Sequence, residues 1–217
     1  MCERIEKVFE ALKRNNITPV YAETAADAVK IIEDMLPEGA SIRTGGSVTL
    51  AESGVWELIN RDKYNFLDRN REGITPAERE AVYQTTVGSD YYFCSVNALT
   101  ENGEIVNVDG NCNRISAIAF GPKKVVLVVG KNKLVSNLEE AFIRVKRIAA
   151  PKNCVRLGID NPCVKLGHCV SLLNTDTPKI TDGCNSPRRI CRNYLIGSVQ
   201  QDPERVTLIY VNQDLGY

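Results

Sequence analysis

The stretch "KKVVLVVG" at residues 123–130 constrains the fold of this chain more than any other. It is a continuous apolar run of strand length, which is typical of a central strand buried on both faces of its sheet. Helix-like and strand-like patterns alternate along the first 150 residues, as in proteins whose parallel sheets are covered by helices. We therefore predict an α/β fold with a largely parallel sheet flanked by helices.

Two helices are predicted from their capping residues. The segment "SVTLAESGVWELIN" (47–60) reads as one helix with Ser47 as its N-cap. The segment "SNLEEAFIRVKRIAA" (136–150) reads as another, with Ser136 and Glu139 forming a capping box. The segments predicted as strands, in chain order, are 19–22, 41–46, 64–69, 90–99, 103–109, 123–130 and 205–212.

Length and composition indicate one soluble globular domain. The chain has 217 residues, of which 43% are apolar, and this is enough to build a core. Lys and Arg together equal Asp and Glu at 27 each, so the charge gives no support to a role on nucleic acids or membranes. No apolar run is long enough to span a membrane, and the N-terminus lacks a signal-peptide core. We expect a single cytoplasmic domain over residues 1–217.

The first candidate site is the glycine turn in "RTGGSVTLAESG" (43–54). A strand that runs into Gly45 and Gly46, followed by a helix capped by Ser47, presents free backbone N–H groups that can bind a phosphate or carboxylate. Such turns lie beyond the carboxyl ends of strands, where open α/β sheets bind ligands. The alternative is that the glycines only make a tight turn. The predicted ligand residues here are Gly45, Gly46, Ser47, Thr49 and Glu52.

The second candidate site is the polar stretch "TENGEIVNVDGNCNRISA" (100–117). Its carboxylates suit acid–base chemistry, and Arg114 suits the clamping of an anion. The alternative is that Asn, Asp and Gly are present because turns favour them. The predicted residues are Glu101, Asp109, Asn113 and Arg114, and we expect Arg114 to face the same cleft as Ser47.

The third candidate site is a set of cysteines in an irregular, Pro- and Gly-containing segment, residues 151–192, before the last predicted strand. Their spacing is C-x5-C-x14-C-x6-C, which is neither a zinc ribbon nor a ferredoxin loop. Four thiolates can nevertheless hold an iron–sulfur cluster or, as the alternative, zinc. The remaining possibility is four reduced, buried thiols. The predicted metal ligands are Cys163, Cys169, Cys184 and Cys191, while Cys154 is assigned no role.

Several stretches together resemble the LUD-domain family of lactate-utilization proteins. They are "TGGSVTLAESGV", "DRNREGITPAEREAVY", "NALTENGEIVNVDGNCNRISAIAFGPKKVVLVVGKNKLV", "PCVKLGHC", "CNSPRRICR" and "VNQDLGY". The resemblance implies a fold like that of the NagB/RpiA/CoA-transferase group, in which the turn at Gly45, Gly46 and Ser47 looks like the phosphate-, CoA- or sugar-binding loop. Members with a cysteine-rich tail tend to place the middle two cysteines close together, whereas here fourteen residues separate Cys169 from Cys184.

The resemblance also implies a link to the oxidation of lactate to pyruvate, alongside iron–sulfur partner proteins. It leaves three hypotheses. In the first, the chain is an accessory or redox subunit of such a system, with a pocket for a small anionic ligand. Alternatively, it is a stand-alone enzyme that acts on a phosphorylated or CoA-linked small molecule, or it is a regulatory or scaffold protein. No flavin or nicotinamide fingerprint is visible, so we do not expect this chain to oxidise lactate alone.

Overall fold

The computed structural model describes residues 1–217 and contains two sheets. The larger sheet has six strands in the order β1-β10-β7-β4-β2-β3, and every neighbouring pair is parallel. The smaller sheet has the order β8-β5-β6-β9, with β6 antiparallel to both of its neighbours. The strands are β1 Thr18–Ala22, β2 Ser41–Thr44, β3 Asn65–Phe66, β4 Tyr91–Cys94, β5 Ala98–Thr100, β6 Ile105–Asp109, β7 Lys124–Gly130, β8 Leu134–Val135, β9 Asn193–Gly197 and β10 Val206–Val211.

Helices cover both faces of the larger sheet and one side of the smaller one. Nine are α-helices, and a π-helical turn, Val145–Ala149, joins the seventh to the eighth. None of them is both long and apolar enough to cross a membrane. The α-helices are α1 Glu3–Arg14, α2 Ala25–Met35, α3 Val48–Glu52, α4 Val55–Ile59, α5 Pro76–Gln84, α6 Asn113–Ala119, α7 Leu138–Arg144, α8 Ala150–Arg156 and α9 Pro162–Leu166.

The central strand β7 is buried on both faces, which confirms the prediction made from its apolar run. Val125, Leu127 and Val129 pack into a cluster with α1 and α6, and all three are fully buried. Val126 and Val128 point the other way and pack against α2, α3 and α4, with exposures of 1% and 0%. Side chains alternate across a strand, so one apolar run supplies the core of two layers. The architecture is therefore the predicted α/β arrangement of a largely parallel sheet between helices.

The segment 47–60 forms two short helices where one was predicted. Gly54 lies between α3 and α4 with a φ of 78°, a left-handed conformation that ends the first helix. The predicted cap at Ser136 is shifted by one residue, because Asn137 Oδ1 accepts the hydrogen bond from the backbone N–H of Glu140 at 2.9 Å. The predicted N-cap at Ser47 is confirmed, because its Oγ accepts a hydrogen bond from the backbone N–H of Leu50.

The cysteine-bearing segment is more ordered than its sequence suggests. Pro151 occupies the first turn of α8, and α9 begins at Pro162, both positions at which proline fits a helix. The remainder is irregular up to Cys191. The segment is followed by β9, a strand of the smaller sheet, before the chain returns to the larger sheet in β10.

Candidate functional site

The carboxyl ends of three neighbouring strands, β2, β4 and β7, open into one cleft. The register pairs Thr44 with Phe93 and Cys94 with Leu127, so these strands end at the same edge of the sheet. The residues that follow the three strands line a cavity of about 560 Å³. This volume lies within the range of about 300–1,000 Å³ for small-molecule sites. The cleft occupies the position at which open α/β sheets bind ligands.

The charge of this cleft is strongly positive. One carboxylate lines it, that of Asp109, and it is paired with Arg114. The other cations form no ion pair with any carboxylate. The seven cationic side chains that line the cleft are Arg69, Arg114, Lys133, Arg156, Arg188, Arg189 and Arg192. We call this the cationic cleft.

Two of these guanidinium groups converge on the glycine turn. A methyl group placed on Gly46 would lie 3.4 Å from Nη2 of Arg69 and 3.5 Å from Nη2 of Arg156. Arg69 donates through Nη1 to the carbonyl of Thr44, and Arg156 donates to Asn153 and Tyr217. Neither forms an ion pair, so both charges stay available to an anion above Gly46.

Arg114 lies in the cleft beside Ser47, but protein acceptors already occupy its guanidinium. Nε and Nη2 donate to Oδ1 of Asp109 at 3.1 and 2.9 Å, and Nη2 also donates to the carbonyl of Val108. The other carboxylate oxygen of Asp109 accepts from the backbone N–H groups of Arg114 and Ile115 at the start of α6. Arg114 thus holds β6 to α6, while its Nη1 makes only a 3.4 Å contact with the carbonyl of Ser95, so its role as an anion ligand stays a prediction.

Lys133 lies at the floor of the cleft. Lys133 is 2% exposed. Its Nζ donates to Oγ1 of Thr49 at 2.7 Å and to Oγ of Ser95 at 2.9 Å. Burial, and then the charges of Arg144 and Arg114, lower the pKa of Lys133 to about 7. Nothing in the sequence around "GKNKLV" marked this lysine, because its environment comes from three separate strand ends.

The predicted anion-site residues divide into two groups. Gly45 lies behind the cleft, against the side chain of Arg114, while Glu52 accepts from the backbone N–H of Gly216 at 2.5 Å. Glu101 is near the surface and pairs with Arg4 at 2.7 Å, away from the cleft. The predicted residues that do line the cleft are Gly46, Ser47, Thr49, Asp109, Asn113 and Arg114.

All four predicted metal-ligand cysteines, together with Cys154, line a second, small apolar pocket. Sγ of Cys163 lies 3.7 Å from Sγ of Cys154, which belongs to α8. Burial raises the pKa of the Cys163 thiol to about 12, and the neighbouring Cys154 adds to this. As placed, no group of three or more His, Cys, Asp or Glu side chains could hold a metal ion. All eight cysteines are free thiols. The cysteines of the second pocket, Cys154, Cys163, Cys169, Cys184 and Cys191, are called the thiol cluster below.

Sequence reasoning missed several members of both sites. Cys154 was set aside because it stands nine residues before the first cysteine of the pattern, yet α8 carries it against Cys163. Arg69 and Arg156 belong to different segments, and only the tertiary fold brings them to Gly46. The missed lining residues with polar side chains include Arg69, Ser95, Asn97, Lys133, Arg156 and Tyr217.

Comparisons with known proteins agree with this fold. A crystal structure of a DUF162 family protein from Deinococcus radiodurans superimposes with a TM-score of 0.55 and 13% sequence identity, covering 96% of each chain. At that identity the likeness shows the fold alone. No curated protein matches the chain. The family model of the LUD domain matches residues 5–211. The chain therefore belongs to the LUD-domain family, which is associated with lactate utilization.

Proposed function

We propose that this chain is an accessory component of a lactate-utilization system and binds a small anionic ligand in the cationic cleft. The observation that carries the proposal is the convergence of Arg69 and Arg156 on Gly46, with no carboxylate to neutralise either one. Like charges held close together are unfavourable unless an opposite charge lies between them. A bound anion supplies that charge, and charged hydrogen bonds to it contribute about 1.5–3 kcal/mol each.

The excess of positive charge also favours a second candidate function, that of an enzyme acting on a phosphorylated or CoA-linked small molecule. Lactate and pyruvate each carry a single carboxylate, whereas five arginines of the cleft form no ion pair. Guanidinium groups bind phosphate through paired N–H donors, and clusters of them are common where phosphates are recognised. The charge of the ligand therefore separates the two candidates.

A thermal-shift series tests both candidate functions. Wild-type protein is heated with lactate, pyruvate, inorganic phosphate, CoA or a sugar phosphate at equal ionic strength. A ligand present at about 100 times its Kd stabilises the folded state by about 2.7 kcal/mol. Stabilisation by lactate or pyruvate alone supports the accessory function, and stabilisation by phosphate or CoA alone supports the enzyme. Absence of any shift contradicts an anion site in this cleft.

We also infer that the thiol cluster serves a redox or metal-binding role, with an iron–sulfur cluster as the first candidate and zinc as the alternative. Five cysteines spread along the segment 151–192 line one pocket, which supports this inference. In tetrahedral zinc sites, bonds of about 2.3 Å put neighbouring sulfurs about 3.8 Å apart, close to the spacing of Cys154 and Cys163. The remaining sulfurs are not placed as ligands, so a metal would require them to move inward.

Two cations at the thiol cluster add to this support. Lys146 is buried, and its Nζ donates to the backbone carbonyl of Asp182 without forming an ion pair with a carboxylate. Arg189 donates through Nε to Sγ of Cys191 at 3.3 Å. Thiolates around a metal carry excess negative charge, which these cations would offset.

Metal analysis of protein purified without oxygen tests the inference. We expect iron with an absorption band in the visible region, or zinc, at near-stoichiometric amounts in the wild type. Cys163→Ser should lose the metal, while Cys2→Ser, at an exposed cysteine outside the cluster, should retain it. Protein that carries no metal in any preparation would leave the thiols as reduced packing groups and overturn the inference.

A further inference from the structure

Lys133 is a buried cationic side chain with an unusual set of partners. Its Nζ has two acceptors, Thr49 Oγ1 and Ser95 Oγ, and both are neutral hydroxyls. Thr49 donates its own hydroxyl proton to the carbonyl of Leu215, so the lysine is the donor in their bond. Lysine buried without a carboxylate partner is rare, because burying an uncompensated charge is costly. The position therefore favours the neutral amine.

The number of hydrogen-bond partners agrees with the neutral form. An ammonium group has three N–H donors, whereas a neutral amine has two and a lone pair. Thr49 and Ser95 satisfy two donors. In the neutral amine, the lone pair is left over, and Lys133 lines the cationic cleft. The two hydroxyls therefore leave one position on Nζ without a protein partner, and in the neutral amine this position is the nucleophilic electron pair.

Burial, and then the charged groups around Lys133, lower its pKa to about 7, so that a substantial fraction of the amine is neutral at that pH. Arg144 of α7 and Arg114 of α6 both disfavour a third positive charge. Glu52 of α3 favours the charged form but has a smaller effect, and burial raises the pKa of Cys94 to about 12, so that thiol is uncharged. Desolvation and neighbouring cations are the two means by which proteins make a lysine nucleophilic.

We propose that Lys133 is a nucleophile that forms a Schiff base with an anionic ligand bearing a ketone or aldehyde carbonyl, such as a 2-oxo acid. The proposal rests on the anion site proposed above, because the cleft cations would hold the acid group of the same ligand. The amine lone pair attacks the carbonyl carbon and a C–N bond forms. The carbonyl oxygen then leaves as water together with the two amine protons, and the imine remains. No electrons are transferred, so no oxidant or reductant takes part.

Borohydride trapping tests the proposal on the full-length chain. The protein is incubated near pH 7.5 with pyruvate or with dihydroxyacetone phosphate, reduced with borohydride, digested and mapped by mass spectrometry. We expect a stable adduct on Lys133 with at least one of the two compounds. Lys133→Met should give none, while Lys131→Met, at an exposed lysine two residues away, should be labelled like the wild type.

A second measurement on the wild type removes any dependence on how the variant folds. Competitive acetylation with limiting acetic anhydride should modify Lys133 faster than Lys131 at pH 7. An adduct spread evenly over surface lysines, or none on Lys133, overturns the proposal. If pyruvate or phosphate still stabilises the protein in that case, the anion site stands and only the Schiff base fails. If neither compound binds, the proposed function fails with it.

Discussion

At the scale of single residues, positions whose role depends on distant partners could not be read from the sequence. Arg114 was predicted as an anion clamp and lines the cleft, but most of its hydrogen bonds to other parts of the chain were not foreseen. Its donors point to Asp109, Asn97 and the carbonyl of Val108, which come from other elements. Lys133 went unnoticed for the same reason, since its burial arises from Thr49 and Ser95 far away in the chain.

The pH dependence of stability should carry the signature of Lys133. Its pKa is lowered to about 7 in the folded chain, against about 10.4 for an unperturbed lysine. Between these values the unfolded chain holds a proton that the folded chain has released. The free energy of unfolding therefore rises with pH, by at most about 1.4 kcal/mol per pH unit from this group.

Urea unfolding of the wild type and of Lys133→Met at several pH values between about 6.5 and 9 checks this expectation. The free energy of unfolding of the variant, relative to that of the wild type, should be highest below pH 7 and should fall as the pH rises. A difference that stays constant across this range would show that Lys133 keeps an ordinary pKa.

Arg114→Gln should destabilise the fold strongly. It removes the charge partner of Asp109, whose side chain is 11% exposed, and it leaves the carbonyl of Val108 and Oδ1 of Asn97 without their guanidinium donor. Breaking a buried ion pair costs about 3–5 kcal/mol. The matched control is Arg71→Gln, which breaks an exposed pair with Glu78 and should cost about 0–1 kcal/mol. Chemical denaturation compares the free energies of unfolding of the two variants. Equal losses of stability would mean that the contacts of Arg114 do not stabilise the fold.

At the scale of elements, apolar patterns predicted the strands of the larger sheet, and breaks within a segment were less predictable. The apolar run at β7 predicted a buried central strand, because both of its faces are apolar. In contrast, the apolar positions of 47–60 fit one continuous helix, and only the left-handed conformation of Gly54 divides it. The smaller sheet was not predicted as a separate unit, since β8 and β9 are short and lie far along the chain from the antiparallel pair β5 and β6.

The turn between β2 and α3 gives a prediction at this scale. Gly46→Val should push apart the side chains of Arg69 and Arg156, which lie near the Cβ position that the valine introduces. We expect anion affinity to fall by about tenfold or more, which corresponds to about 1.4 kcal/mol. Stability should change little, because the arginine side chains can move toward solvent. Unfolding and ligand titration of the variant are measured together. Unchanged affinity would place the anion elsewhere in the cleft.

At the scale of the whole molecule, overall neutrality conceals a strong separation of charge. The 27 basic residues equal the 27 acidic ones, and this balance correctly gave no reason to expect a broad basic surface. The fold nevertheless gathers seven cations around one cleft with a single carboxylate among them. A count of charges along the sequence does not contain this information, because the cations come from loops, helices and the cysteine-bearing segment alike.

The thiol cluster and the cationic cleft share one wall of the molecule. Arg189 and Ile190 line both cavities, and the amide of Asn161 donates to Sγ of Cys154 and to the carbonyl of Arg188. All five thiols of the cluster lie in the segment 151–192, and the cysteine pattern assigned four of them as metal ligands. The contact of that segment with the cleft depends on how it packs against β6 and could not be foreseen.

Isothermal titration with pyruvate and with inorganic phosphate tests the anion site most directly. We expect at least one of them to bind the wild type and Arg14→Gln, an exposed arginine on α1, with equal affinity. Arg69→Gln and Arg156→Gln should each weaken that binding by about tenfold or more, as expected for the loss of a charged hydrogen bond. Equal affinity in all four proteins, or no binding to the wild type, would contradict an anion site between these two arginines.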